Sequence, residues 1–365
     1  MNLHDKFSGK KILVTGHTGF KGAWLTAWLK QLGADVVGIS TGAPTEPSHF
    51  EVAKLHQNIT DLLLDIRNKD DLEDAVVSAQ PDFVFHLAAQ ALVRESYNDP
   101  LATYQTNLMG TIHLLEALRS LKKECAVVII TSDKCYDNVE WIWGYRETDS
   151  LGGPDPYSAS KGAAELAIHS YLKSYFPKDS STIRIASARA GNVIGGGDWA
   201  QDRIVPDCVK AWSANSDVIL RNPQATRPWQ HVLEPLSGYL MLALALNSRP
   251  EIHGEPFNFG PQAQQNHSVL ELVEEMSKHW KQVHWQVEEQ KIQKHHESGL
   301  LKLNCDKALH YLHWHATMEF KDTVRMTADW YRDFYSKPET IADTTQSQIA
   351  AFTTIAREKG LPWAL

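Results

Sequence analysis

Cysteine is scarce in this 365-residue chain: there are four, Cys125, Cys135, Cys208 and Cys305, and no two stand in a C-x-x-C pair. That argues against a zinc ribbon or a disulfide framework and leads us to expect reduced thiols in a cytoplasmic protein. Long hydrophobic runs are also missing. The longest, Leu236 to Leu246, is too short and too interrupted to span a bilayer, so no membrane partner is expected. The opening, Met1 to Lys10, is polar and has no apolar core of the kind a secretory signal needs. Positive charge is in deficit, with 36 Lys and Arg against 44 Asp and Glu, a net charge of −8 and a pI near 6.1. This argues against a nucleic-acid partner while leaving room for a local basic pocket around a phosphorylated small molecule. Internal repeats and low-complexity linkers are absent. Histidines cluster at His295-His296 and at His310, His313 and His315, but without companion ligands at metal-site spacing, so no metal is expected.

What is present reads as a globular α/β protein. Hydrophobic residues make up 43% and charged residues 22%, a balance that supports a packed core, and the length suits two closely joined lobes. Apolar runs at Lys11–Val14, Asp35–Ile39, Ile59–Leu64, Phe83–His86, Val127–Thr131 and Ile183–Arg189 alternate with helical patterns. The predicted helices are Lys21–Leu32, Lys69–Ala79, Pro100–Leu121 and Tyr157–Tyr175. This rhythm predicts a doubly wound, Rossmann-type parallel sheet covered by helices on both faces. The second half is less regular, with a glycine-rich loop at 191–201, a helix over Glu234–Leu246 and a strand at Phe257–Phe259. The expected division is a cofactor-binding domain over 1–190, with 226–262 packing back onto it, and a smaller C-terminal substrate lobe over 191–365.

Three motifs carry chemistry. Gly16, Gly19 and Gly22 are spaced G-x-x-G-x-x-G where the first strand turns into a helix. Such glycines allow a tight turn, close approach of backbone N–H groups to a pyrophosphate, and close packing of helix on strand. Tyr157 and Lys161 lie four apart on a predicted helix and therefore on one face. A nearby ammonium stabilises phenolate, so the pair predicts a tyrosine with a lowered pKa that serves as a base. Thr131-Ser132-Asp133-Lys134 follows an apolar strand, and ligands in open parallel sheets sit outside the carboxyl ends of strands. A hydroxyl, a carboxylate and an amine stand there in succession.

Together with His86–Gln90, Glu140–Glu147, Ala190–Trp199 and Arg227–Val232, these residues resemble the extended short-chain dehydrogenase/reductase family over nearly the whole chain. The resemblance is nearest to its nucleotide-sugar 4,6-dehydratases. It implies NAD as cofactor and a nucleoside-diphosphate sugar, CDP-glucose, as substrate; a 4-epimerase is the neighbouring alternative. Ser132 and Tyr157 would meet the sugar 4-hydroxyl, and Lys161 would orient the ribose and keep Tyr157 acidic. Asp133 would protonate the departing C6 hydroxyl. Lys134 stands where most of these enzymes have a glutamate that takes the C5 proton, and it would have to be neutral to act. For the cofactor, the resemblance implies Gly16, His17, Gly19, Phe20, Lys21, Gly22, Asp65, Ile66, Leu87, Ala88, Ala89 and Asn107, besides Tyr157 and Lys161. Asn107 would sit where the helix backbone is distorted. For the substrate it implies Gln90, Ser132 and Asn192, with Arg203, Arg221 and Arg227 as bidentate diphosphate ligands. Trp141, Trp143 and Trp199 are candidates to stack on the base or cover the sugar. One departure matters: Ser40–Ala43, after the second strand, offers neither the acid usual for an NAD ribose nor the arginine usual for a 2′-phosphate. The family also implies a homodimer or homotetramer through the helices at Pro100–Leu121 and Tyr157–Tyr175.

Overall fold

A computed structural model describes residues 2–262, 264–281, 283–287 and 300–365. His295 and His296 lie outside the described residues. Seven strands form one parallel sheet: β1 (Lys11–Thr15), β2 (Asp35–Ser40), β3 (Thr60–Leu63), β4 (Phe83–His86), β5 (Cys125–Ile130), β6 (Ile183–Ala190) and β7 (Pro256–Phe259). Their spatial order is β7-β6-β5-β4-β1-β2-β3. The chain steps outward from β1 to β3, then restarts on the other side of β1 with β4. That reversal opens a crevice beyond the carboxyl ends of β1 and β4, where ligands of such sheets bind.

Both faces of the sheet are buried, which is why its strands read as continuous apolar runs. Alternation sorts the side chains: Ile12, Val14, Ala126 and Val128 enter one core, while Leu13, Val127 and Ile129 enter the other. The first core is covered by α1 (Phe20–Gln31) and by a helix at Leu233–Ser248; the second by α2 (Lys69–Ala79), α3 (Gly110–Arg119) and α4 (Pro156–Tyr175). We label the Leu233–Ser248 helix α5. It packs against β5 and β6, and β7 pairs with β6, so a late stretch of chain completes the early sheet. The remaining C-terminal residues add short ladders and helices; the helix at Ile341–Glu358 packs against α1.

The single helix expected over Pro100–Leu121 is broken. Pro100–Tyr104 is α-helical, Gln105–Met109 forms a π turn, and α3 follows. Asn107 occupies that turn. Its amide nitrogen donates to the Gln90 carbonyl (3.0 Å) and to Ser160 Oγ (2.9 Å), and its Oδ1 accepts from the Gln90 N–H (2.9 Å). These bonds tie the bulged backbone to the loop after β4. Among the described residues, no helix is long and apolar enough to cross a membrane and no cluster of side chains has the makings of a metal site. All four cysteines are free.

Candidate active site

The turn between β1 and α1 is built around two glycines. Gly16 has φ +74°, and a Cβ there would sit 2.6 Å from the Ala88 backbone nitrogen. A Cβ on Gly22 would lie 2.0 Å from the Gly16 carbonyl oxygen. Both obstacles are backbone, which cannot swing aside. The loop is thus pressed against both the end of β4 and the first turn of α1. This cradle fits the phosphates of a dinucleotide. Gly22→Ala is expected to cost about 3 kcal/mol or more of stability through overpacking. A drop in the thermal unfolding midpoint well beyond that of Gly9→Ala, where nothing lies within 4 Å and only the strain of φ +69° is felt, checks it.

Beside the loop, His17 is fully buried, its ring filling the space above Gly38 and its Nε2 2.9 Å from Asp61 Oδ1. Burial lowers the His17 pKa, partly opposed by the Asp61 charge. Asp61 lies on β3 directly across from Gly38. No local pattern could reveal that this carboxylate stands beside His17, because strand register is a tertiary property. Ile66 and Leu87–Ala89 also border the crevice. Ile66 packs where a Gly110 side chain would be, and the Ala88 N–H donates to Thr15 Oγ1 (3.2 Å).

Ser132 caps a short 3-10 turn over Asp133–Cys135: its Oγ accepts from the Lys134 N–H (3.2 Å) and donates to Asp133 Oδ1 (3.0 Å). Asp133 is buried, and among the described residues its Oδ2 has no hydrogen-bond partner. Burial raises its carboxyl pKa, opposed by Lys134, Ser132 and Lys21. Lys21, on the first turn of α1, faces this carboxyl; burial pushes its pKa down to about 8 against the pull of Asp133. The Tyr157 phenol meets Ser132 from α4.

The expected acidic tyrosine is not what the structure contains. Burial pushes the Tyr157 pKa up to about 12, with Ser132 as the largest opposing influence. The Lys161 ammonium points instead toward the Ile130 carbonyl (3.5 Å), and burial pulls its own pKa down to about 8.

The other predicted residues are distributed unevenly. Arg203 is drawn into the centre, donating to Asp198 Oδ2 (2.7 Å) while its charge acts on Tyr157 and Lys21. Arg221 pairs with Asp202 (3.1 Å), a carboxylate that Arg94 also binds (2.6 Å). The Arg227 guanidinium donates to the Thr226 carbonyl (2.8 Å) in a short ladder with His267–Ser268. Asn192 follows β6, and its carbonyl accepts from the Gln230 N–H (3.4 Å). Gln90 turns its amide inward, bonding Leu92 and Thr103, and Asp65 binds Arg67. Trp199 does not reach a ligand site: it is buried among Trp330, Tyr331 and Phe334. Trp141 and Trp143 are exposed and meet edge to face.

The profile of the GDP-mannose 4,6 dehydratase family matches residues 13–327. The chain belongs to this family. Within it, the chain is 46% identical over 330 residues to CDP-glucose 4,6-dehydratase of Salmonella typhimurium, covering 89% of this chain and 91% of that one. It is 28% identical over 285 residues to CDP-paratose 2-epimerase of Salmonella typhi, covering 72% and 82%. Among solved structures, UDP-glucose 4-epimerase of Stenotrophomonas maltophila, with bound NAD and formylated UDP-arabinopyranose, shares the fold (TM-score 0.77, 21% identity, 89% of this chain and 98% of that one). The crevice of this dehydratase-family chain lies at the same strand-order reversal that its own glycine loop borders.

Proposed function

We propose that this chain is an NAD-dependent dehydratase that converts CDP-glucose to CDP-4-dehydro-6-deoxyglucose and water. The observation that carries the reading is Asp133, a buried carboxyl beside Ser132 and Tyr157 whose second oxygen has no protein partner among the described residues. A 4-epimerase has no use for such an acid. Bound NAD⁺ would supply the hydride acceptor for C4 and the donor for C6. Gly16, Gly19 and Gly22 would cradle its phosphates beside His17, Phe20 and Lys21, Asp65 and Ile66 would hold the adenine, Leu87–Ala89 would line the strand end, Asn107 would serve through the distorted helix, and Lys161 would hold the nicotinamide ribose.

Tyr157, hydrogen-bonded through Ser132, takes the C4 hydroxyl proton. The C4 ketone acidifies the C5 proton, which Lys134 removes. The C6–O bond breaks as Asp133 gives its proton to the departing oxygen, releasing water. Lys134 then returns the proton to C5. Asn192, Arg203, Arg221 and Arg227 hold the diphosphate, Gln90 borders the substrate, and residues 191–365, apart from 226–262, form the substrate lobe. The exposed Leu101, Met109, Leu166 and Tyr175 along Pro100–Leu121 and α4 support pairing of two copies, and the free thiols suit the cytoplasm.

The decisive experiment is mass spectrometry after incubating the protein and NAD⁺ separately with CDP-, dTDP-, UDP- and GDP-hexoses. Loss of one water from CDP-glucose alone is expected. Water loss from another nucleotide sugar would overturn the base assignment, and epimers of unchanged mass would replace the dehydratase reading with an epimerase.

A further inference from the structure

Tyr157, Lys161 and Glu165 recur at four-residue intervals, so they line one face of α4. The reaction as described uses the first two and leaves Glu165 idle. Its side chain is nonetheless the most heavily bonded carboxylate near the site. It is buried and accepts from Thr131 Oγ1 (2.5 Å), Ser187 Oγ (2.9 Å), Arg189 Nε (3.0 Å) and Arg189 Nη2 (2.8 Å). Thr131 directly precedes Ser132 at the end of β5, while Ser187 and Arg189 lie on β6. One carboxylate thus ties the tyrosine–lysine helix to two adjacent strand ends. A well-packed apolar pair could hold these elements as firmly without the desolvation cost of two buried charges. Stability alone therefore does not account for an acid at this position.

We propose that Glu165 is a positioning residue for the reaction, supplying the fixed negative charge one helical turn from Lys161 and locking Thr131, and through it Ser132 and Asp133, against Tyr157. What Lys161 does in turnover rests on the dehydratase reading; the geometry around Glu165 does not. The charged and titratable groups facing Lys161 are few. Lys21 approaches from α1, and the Lys161 charge disfavours the Lys21 ammonium. His86, at the end of β4, is pushed down to about 3 by burial and is neutral. The Cys135 thiol is raised well above its usual value and is neutral as well. Glu165 is the largest influence favouring the Lys161 ammonium, opposing the burial that disfavours it. Arg189 faces Glu165 from β6 and offsets part of that charge, so the influence on Lys161 is moderate.

Loss of the Glu165 charge makes Lys161 give up its proton at lower pH. In Glu165→Gln, the alkaline fall in kcat/KM for CDP-glucose should therefore begin about one pH unit lower than in the parent. The pH at which NAD⁺ affinity weakens, measured by calorimetry on the same proteins, should move the same way. Glu165→Asp keeps the charge and should restore the parent position even if kcat is lower. Since Gln leaves Arg189 without its carboxylate, the double variant Glu165→Gln/Arg189→Met provides a neutral pair that folds if the single one does not, and it should shift in the same direction by less, because the opposing Arg189 charge is removed as well. A uniform loss of kcat with both profiles at parent pH, in either folded variant, would reduce Glu165 to a structural brace and overturn the proposal. Failure of the dehydratase reading is separately visible, as absence of water loss in the parent protein, and leaves the NAD⁺ affinity profile to decide on Glu165.

Discussion

Replacing Asp133 by Asn should slow water loss about 10³-fold, within the range for removing a general acid, while C4 oxidation continues. The signature is accumulation of reduced cofactor, seen by its near-ultraviolet absorbance, on mixing the variant with CDP-glucose. If elimination proceeds at the parent rate, the acid lies elsewhere. The same substitution has a stability signature of its own. Because burial raises the Asp133 carboxyl pKa, the folded state holds the proton more tightly than the unfolded chain. The stability this contributes is fully present below the unfolded pKa and is lost as pH rises through the raised folded one. Asparagine never has to be buried as an anion, so Asp133→Asn should melt higher relative to the parent at neutral pH than in acid. Catalysis falls while stability holds or rises, which separates loss of the acid from loss of the fold.

Tyr157→Phe is expected to abolish both half-reactions together, lowering kcat about 10³-fold without accumulation of reduced cofactor, because no group remains to take the C4 hydroxyl proton. Its stability should change little, since Ser132, which the lost hydroxyl meets, keeps Asp133 Oδ1 as partner. Burial pushes Tyr157 up to about 12 in the protein alone, so its role as base requires positive charge at the site to stabilise the phenolate, which bound NAD⁺ would supply. The Lys161 ammonium, with its pKa down at about 8, loses its charge within the working range. Parent activity should therefore decline as pH rises through about 8, the value at which Lys161 stops being a cation. A rate that keeps climbing well beyond that point would show that the Lys161 charge is not needed.

The candidate site was legible in unequal parts. Gly16 and Gly22 could be read in advance because the steric demand of a strand–turn–helix is local, and the structure meets it with backbone atoms 2.0 to 2.6 Å from where a Cβ would stand. The four-residue spacing of Tyr157 and Lys161 likewise places them on one helical face without any tertiary knowledge. Direction of charge could not be read this way. The sequence suggested a tyrosine acidified by its lysine, but in the fold the tyrosine is dominated by burial and the lysine turns toward a strand-end carbonyl. Trp199, in a glycine-rich loop, could be read either as a ligand platform or as core, and it is a core side chain. Aromatic type alone does not distinguish the two, since the choice depends on which helices close over it.

By itself, the sequence determined the succession of strands and helices, the parallel sheet with two buried faces and the steric form of the glycine turn, and it nominated the candidate site residues. All of these follow from periodicity and local sterics, which act over a few residues. Only the tertiary structure decided that Asp61 stands beside His17 across the β2–β3 register, that Lys21 faces Asp133, that the helix before α3 bulges at Asn107, and that Glu165 bonds two strand ends behind Lys161. These depend on register and on removal of charge from water, both set by contacts between residues far apart in the chain.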